Sequence, residues 1–310
     1  MKKWVFIINP SAGNGKGKRK WGAIQPRLMF EYEYYYTSGP RKAVELAKNC
    51  ANNGAELVIG VGGDGTLHEI VEGVSLSNNK SCIVSAISGG SGNDFGRIFP
   101  TFSRADELNE AFKNGVQGEF FDLGRLETNH SKETFTNNAG LGFDAYIAYH
   151  VNKSSVKKML NKIGLGKLAY TFFVVKALLH FPLFHLQVNA DGQIRNFENV
   201  WLATLSNQPF FGGGMKISPT SNPRDGLVEL TIVSNISRWK LLLVFGSVYL
   251  GKHTNLQAVH TFQASKVGLT TDTITYRHVD GEYAGKTRPH QEDCFSIEPR
   301  AVASLTTMSS

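Results

Sequence analysis

Between Val58 and Ile70 a short apolar run, a glycine turn holding one carboxylate and the opening of a helix follow one another without a break: Val58-Ile59-Gly60-Val61-Gly62-Gly63-Asp64-Gly65-Thr66-Leu67-His68-Glu69-Ile70. The run reads as a buried strand, and Ile70, Val71 and Val74 begin the apolar face of a helix. Thr66 is placed to cap that helix, with Glu69 three residues on to complete a capping box. Glycines at 62, 63 and 65 leave backbone N–H groups able to face an anion at the helix N-terminus, where the helix dipole also favours negative charge. A phosphate suits such a turn. An acid beside a phosphate repels it unless a divalent cation or a reacting hydroxyl lies between them, so Asp64 marks a candidate metal or reaction site. The plainer alternative is a tight turn in which Asp64 only hydrogen-bonds the backbone.

The flanking chain repeats the layout. Trp4 to Ile8 reads as a first strand running into Asn9-Pro10-Ser11-Ala12-Gly13-Asn14-Gly15-Lys16-Gly17-Lys18, a small-residue loop with backbone donors and positive charge. It matches neither the P-loop pattern nor a dinucleotide fingerprint. A second strand, Tyr32 to Tyr36, ends at Thr37-Ser38-Gly39-Pro40, and a helix is predicted over Arg41 to Asn53. A fourth strand, Cys82 to Ile87, ends in Ser88-Gly89-Gly90-Ser91-Gly92-Asn93-Asp94-Phe95, a second glycine turn with an acid, before a helix around Asp106 to Asn114. Strands alternating with helices imply a parallel, doubly wound, Rossmann-like α/β sheet in which every strand's carboxyl end lies on one edge. The four loops Asn9–Gly13, Thr37–Pro40, Gly62–Thr66 and Ser88–Asp94 would then share one rim.

Chain length favours two domains, since 310 residues exceed one typical core. After residue 124 the texture becomes predominantly β. Asp191-Gly192 is a type I′ hairpin candidate, Asn199 to Asn207 is a mostly apolar run, and Val228, Leu230 and Ile232 alternate with Glu229, Thr231 and Val233. Helices are expected near 157–180 and 237–250. Cys50, Cys82 and Cys294 are scattered and odd in number, which fits a reducing cytoplasm and no disulfide framework. The start Met1 to Ile8 has too short an apolar run for a signal peptide.

The net charge of +7 is uneven: residues 1–22 carry six Lys/Arg and no acid, and residues 151–180 carry six Lys and no acid. Lys153, Lys157, Lys158, Lys162 and Lys167 lead into Tyr170, Phe172, Phe173, Leu178, Leu179 and Phe181. The apolar stretch 167–184 is interrupted by Lys176, His180 and Pro182 and falls short of the ~20 residues a spanning helix needs. Basic residues before bulky apolar ones fit either a lipid-facing interfacial helix, giving peripheral membrane contact through 153–184, or a core helix with solvated lysines. No RNA-binding signature accompanies the charge, so no nucleic-acid partner is expected. Late in the chain His278-Val279-Asp280-Gly281-Glu282 offers a hairpin turn by its Asp-Gly pair. It also offers the carboxylate that phosphoryl transfer to a hydroxyl needs near the acceptor. The loop Pro219 to Leu227 places Asp225 where it and backbone carbonyls could hold a hard cation.

Together these residues resemble the bacterial soluble diacylglycerol-kinase-like lipid kinases, relatives of the sphingosine and ceramide kinases, over nearly the whole chain. Asn9 to Gly13 resembles the family's first nucleotide loop, Gly62-Gly63-Asp64-Gly65-Thr66 its signature, and Gly90-Ser91-Gly92-Asn93-Asp94-Phe95 its second glycine loop. NAD kinases share the Gly-Gly-Asp-Gly-Thr signature, and it is the joint pattern with Asp280-Gly281-Glu282 and Asp225-Gly226-Leu227 that separates the two. Ser91 stands for the family's usual Thr, Ser88 for a common Pro, and His68 for a frequent Asn.

The resemblance implies ATP contacts at Asn9, Pro10, Ser11, Ala12, Gly13, Thr37, Gly63, Asp64, Gly65, Thr66, Leu67, His68, Glu69 and Ser91. It implies a structural Mg²⁺ held by Asp225 with the carbonyls of Asn222 and Leu227. Asp64 and Asp94 would organise a catalytic Mg²⁺, and Glu282, beside Asp280, would be the general base. It further implies an α/β nucleotide domain over 1–124, a β-rich, sandwich-like lipid domain over 125–298 with the site in the interdomain cleft, and a tail, 299–310, that can return to the first domain. The expected activity is transfer of the ATP γ-phosphate to the hydroxyl of a lipid such as diacylglycerol, in the cytoplasm at the inner face of the membrane. The rivals are an NAD kinase and a nucleotide-binding membrane-surface protein whose chemistry has lapsed.

Overall fold

The computed structural model describes residues 2–89, 92–153 and 174–306. Strand β1 (Trp4–Ile8) is buried throughout and lies parallel between β2 (Glu33–Tyr36) and β3 (Leu57–Gly62), with β4 (Ile83–Ser88) parallel to β3. Because side chains alternate across a strand, Val5, Ile7 and Val58 face one side while Trp4, Phe6, Ile8, Leu57 and Ile59 face the other. Helices α2 (Lys42–Asn52) and α3 (Asp64–Ser75) cover the first side through Ala43, Ala47, Ile70 and Val71. Helices α1 (Lys16–Ile24) and α4 (Ala105–Asn114) cover the second through Trp21, Ile24, Ala105 and Leu108. Helices on both faces of a parallel sheet make the doubly wound layer that the alternation predicts.

Helices α2 and α3 meet at Gly73. A Cβ there would stand 2.3 Å from the Val44 carbonyl oxygen, so close contact accounts for a residue that costs a helix about 1 kcal/mol relative to Ala.

The expected cap of α3 is not formed. The helix begins at Asp64, its N-cap is Gly63, and no side chain caps it, because Thr66 and Glu69 have other partners. Thr66 Oγ1 accepts from Asn9 Nδ2 at 3.0 Å. Glu69 instead receives the backbone N–H groups of Arg41 and Ala43, at 3.0 and 3.1 Å, and so caps α2. Arg41, the N-cap of α2, is left-handed at φ 64 and offers no side-chain oxygen of its own. A carboxylate from the neighbouring helix satisfies the donors that this leaves.

In the second half β7 (Asn138–Gly142), β8 (Phe184–Ala190), β9 (Gln193–Ser206), β12 (Val228–Ser234), β13 (Val259–Ala264), β14 (Lys266–Thr271), β15 (Tyr276–Val279) and β16 (Glu282–Lys286) pair antiparallel around a core that includes Phe143, Phe181, Phe184 and Trp201. The β8–β9 hairpin turns at Asp191 and Gly192 with φ 46 and 88, the doubly left-handed geometry of a type I′ turn. Of the helix expected near 157–180, residues 174–180 are helical and 154–173 lie outside the described residues. Near 237–250 a helix, Arg238–Val244, continues as a 3-10 segment, Phe245–Leu250. No helix among the described residues is long and apolar enough to cross a membrane.

Two long strands join the halves. β17 (Glu292–Leu305) pairs with β14 by its first part and reaches β4 in parallel by Ala303 and Ser304. β5 (Gly118–Glu127) runs antiparallel beside it, with a register break between Glu298 and Val302. At that break Asp122 is buried and accepts the N–H groups of Gly226 and Arg300, each at 2.8 Å. One hydrogen-bonded stem therefore ends in both layers.

Candidate active site

The loops after β1, β2, β3 and β4 converge as their order implies. Together with the β15–β16 turn they enclose an open cleft of about 940 Å³ lined by Asn9 to Gly13, Thr37 to Arg41, Gly63 to Thr66, His68, Glu69, Gly92, Asp280 and Glu282. Asn9 fixes the first loop twice, donating to Thr66 Oγ1 and accepting the Ser11 N–H at 3.0 Å. Gly13, left-handed at φ 57, lies so near the β4 loop that a Cβ would stand 2.4 Å from the Gly89 carbonyl oxygen. The uncapped start of α3 opens on this cleft, which suits an anion. Leu67 is the exception among the signature residues, because its side chain packs in the core and its N–H bonds to the Gly63 carbonyl. Ser91 lies outside the described residues.

Asp64 and Asp94 form an acid pair at the inner end. Asp64 accepts the N–H groups of Asn93 and Asp94, each at 2.9 Å. Burial, with the Asp94 charge beside it, pushes the Asp64 carboxyl above the usual carboxylate range, although those N–H groups pull the other way. Gly92 passes so close that a Cβ would be 2.3 Å from Asp64 Oδ2. Asp94 Oδ2 accepts the Gly213 N–H at 2.9 Å, while its buried Oδ1 has no hydrogen-bond partner and only Arg97 Nε at 3.4 Å. A half-buried and a buried acid with an unsatisfied oxygen are a donor set that a divalent cation fits. Gly213 belongs to Gly212-Gly213-Gly214, whose φ values of 61, 88 and 103 are open to glycine. Three adjacent glycines were the signal for this contributor, which pattern reading passes over.

Asp280 turns out to be a joint. At φ 46, followed by Gly281 at φ 81, it makes the β15–β16 turn while its carboxylate accepts the N–H groups of Thr136, Asn137 and Asn138 at 2.8–2.9 Å. Its Oδ2 also lies 2.7 Å from His68 Nδ1. Burial opposes its ionisation, but the ion pair with His68 and the N–H donors outweigh that and hold the carboxyl below the usual range. Burial likewise works against charge on His68, and Asp280, aided by Glu72, overcomes it and raises the imidazole. Glu72 lies 3.7 Å from His68 Nε2 and receives both terminal nitrogens of Arg41, at 2.5 and 2.6 Å. Arg41, Glu72, His68 and Asp280 thus make a charged chain from one half of the protein to the other. Glu282 stands just beyond the turn on the cleft wall.

A second cavity, of about 530 Å³, opens from the same point. Asp64, Gly92 and Asp280 line both, and from them the wall continues through Phe143, Ile147, Leu202, Leu241, Val244 and Val248. Asp94 and Gly213 belong to this chamber rather than to the outer cleft. So does Asp144, whose Oδ2 receives Thr204 Oγ1 at 2.8 Å and faces His278 Nε2 at 3.0 Å. Neither Asp144 nor its partners announce themselves in the sequence, because they come from the first turn of the helix Phe143–Lys153 and from two separate strands, β9 and β15.

The Asn222, Asp225 and Leu227 loop lies apart from this acid pair, beside Glu229. Asn222 Oδ1 accepts the Arg224 N–H at 3.2 Å and Asp225 Oδ1 the Leu227 N–H at 3.0 Å. Next to them Glu229 Oε1 is buried without a partner, and burial, with the Asp225 charge adding to it, raises that carboxyl. Glu229 Oε2 receives Thr220 Oγ1 and Asp225 is exposed, so a buried and an exposed carboxylate side by side are what a hard cation would meet here. Among the described residues no three His, Cys, Asp or Glu side chains gather to hold one, so backbone carbonyls would have to complete it.

The two halves match two families in tandem. The diacylglycerol kinase catalytic domain matches residues 3–123, and the YegS C-terminal NAD kinase beta sandwich-like domain matches residues 137–306. YtlR of Bacillus subtilis, named as a candidate lipid kinase, is 33% identical over 298 residues, covering 93% of this chain and 95% of that one. A diacylglycerol kinase of Bacillus subtilis is 28% identical over 291 residues, covering 92% and 91%. A crystal structure of a candidate diacylglycerol kinase from Bacillus anthracis superposes with a TM-score of 0.73 at 22% identity, over 99% of this chain and 98% of that one. Yeast NADH kinase complexed with NADH shares the fold at a TM-score of 0.57 and 13% identity, over 99% and 84%. With both family domains present in order over almost its full length, the chain belongs to the diacylglycerol-kinase-like lipid kinases, phosphotransferases whose acceptor is an alcohol.

Proposed function

We propose that the enzyme transfers the γ-phosphoryl group of ATP to the hydroxyl of a lipid such as diacylglycerol, drawn from the inner face of the cytoplasmic membrane. The observation that carries this is the meeting of a polar, glycine-lined cleft and an apolar chamber at Asp64, Gly92 and Asp280. A triphosphate in the cleft, against the uncapped start of α3, and an acyl chain in the chamber would bring γ-phosphorus and hydroxyl together at that junction. The polar loop residues Asn9 to Gly13, Thr37 and Gly63 to Thr66 would hold the nucleotide. A Mg²⁺ held by Asp64 and Asp94 would neutralise charge on the phosphates, and a second, structural one would sit at Asp225 with the Asn222 and Leu227 carbonyls. Asp280 has its carboxylate committed to four groups of the protein, so the proton-accepting role goes to Glu282, with Asp280 positioning it. The lipid O–H bond breaks toward Glu282 as the oxygen bonds to the γ-phosphorus and ADP leaves.

The same fold carries an NADH kinase, but a dinucleotide acceptor gives the apolar chamber no occupant. The test is a total lipid extract, and separately NAD, incubated with the enzyme, Mg²⁺ and γ-labelled ATP, with the labelled product identified by mass spectrometry. A labelled lipid is expected; label in NAD alone overturns the proposal.

A further inference from the structure

The segment Arg238–Leu250 is apolar on both faces. Leu241, Val244 and Val248 point into the chamber, while Trp239, Leu242, Leu243, Tyr249 and Leu250 are exposed, Leu243 to 84% and Leu250 to 68%. A helix that is hydrophobic all round belongs in an interior, and among the described residues this one has protein on one side only. The stretch of chain that carries it has one sign of charge: residues 230–271 include Arg238, Lys240, Lys252 and Lys266 and no Asp or Glu, and Lys240 and Lys252 are exposed. Arg238 anchors the element instead, donating to the Leu178 and Phe181 carbonyls, which ties it to the helical stretch 174–180 with its own exposed Leu179.

We infer that Arg238–Leu250 is the element that docks the enzyme on an anionic phospholipid bilayer, its outer face entering the interface while its inner face forms the chamber wall. A lipid could then pass from bilayer to chamber along one helix without its chains crossing water. The occupant is a membrane rather than a protein because the apolar face lies between the exposed Lys240 and Lys252 in a stretch of chain without acids, and the same element continues into the chamber wall. An exposed Trp beside Lys and Leu is the composition of an interfacial anchor. This rests on the lipid-kinase reading for the chamber's content, but the vesicle measurements that test it do not.

Trp4, Trp21 and Trp201 are buried, and Trp239, the fourth of four, is 65% exposed. Tryptophan emission therefore reports this surface. With vesicles of phosphatidylcholine and phosphatidylglycerol the emission should shift to the blue and be quenched by acyl-brominated lipid, and Trp239→Phe should abolish both changes. Leu243→Asp with Leu250→Asp should weaken co-sedimentation with those vesicles about tenfold or more. The same pair should leave phosphorylation of a monomeric short-chain diacylglycerol unchanged. Unaltered emission and unaltered co-sedimentation overturn the inference. So does a homodimer by sedimentation velocity that the double variant dissociates, since a second copy would then own this face. Vesicle binding through Trp239 without phosphorylation of any lipid would leave the docking surface standing and remove the proposed activity.

Discussion

His68 Nδ1 stands 2.7 Å from Asp280 Oδ2, and through that contact the helix behind the first glycine turn is tied to the hairpin that presents Glu282. Of the two residues, one belongs to the α/β half and the other to the β-rich half. Truncating one partner of a buried pair strands the other, but Asp280 keeps three N–H donors when His68 is lost. Its loss should therefore be moderate and dependent on pH.

The imidazole's pKa is raised in the fold, so its contribution is fully present below the unfolded value of about 6.5 and is lost as pH rises through the folded one. The Asp280 pKa is depressed, so its contribution is present above about 3.9 and is lost as pH falls through the folded value. The pair is at full strength between those limits. His68→Asn should cost about 1–3 kcal/mol in urea unfolding near pH 5.5 and distinctly less near pH 8.5. Equal costs at the two pH values would show that the contact does not titrate.

Glu282→Gln keeps the shape of the turn and removes a proton acceptor. Turnover of the lipid acceptor should fall by about 10²- to 10⁴-fold while ATP affinity, read by equilibrium dialysis, changes little. A variant that retains wild-type turnover would take Glu282 out of the role.

For Asp64 the expected signature is metal dependence. Burial and Asp94 destabilise its charged form, and a bound divalent cation would reverse that. Mg²⁺ with ATP should raise the melting temperature of the wild type, and Asp64→Asn should lose most of that shift together with at least about 10²-fold in rate. An Asp64→Asn enzyme with full activity and an unchanged Mg²⁺ shift would place the cation elsewhere.

Much of the first layer is legible in the sequence because its rules are local. Strands β1, β3 and β4 show as apolar runs and β2 as a run of tyrosines, and chain order alone puts their loops on one edge, where the structure finds Asn9, Thr37, Gly63 and Gly92 around one cleft. The assignment failed where a side chain had two partners to choose from. Glu69 fits a capping box at the start of its own helix, yet Arg41's left-handed N-cap leaves α2 with donors unmet, and Glu69 goes there. His68 reads as a small departure from a family pattern, and its importance depends on Asp280, which no spacing rule connects to it. Asp144, Gly213 and Asp122 were missed for the same reason, since each acts on groups at least 60 residues away in the chain.

Asp122 yields the sharpest stability prediction. Its carboxylate holds the N–H groups of Gly226 and Arg300 where β5 and β17 change register, its own N–H bonds to the Pro223 carbonyl, and its carbonyl receives Asn207 Nδ2. The two backbone bonds of the residue survive any substitution, so a variant tests the carboxylate alone. Asp122→Ala leaves two N–H groups without their acceptors and should cost about 2–5 kcal/mol in denaturant unfolding. Asp122→Asn retains one acceptor oxygen and should lose about half as much. Because the crossing joins both layers, the loss should appear as a lower midpoint for the whole protein, read alike by far-ultraviolet dichroism and by the fluorescence of the buried Trp4, Trp21 and Trp201. An Ala variant within about 0.5 kcal/mol of the wild type would mean that water replaces the carboxylate at the crossing, and that the two layers are held by their strands alone.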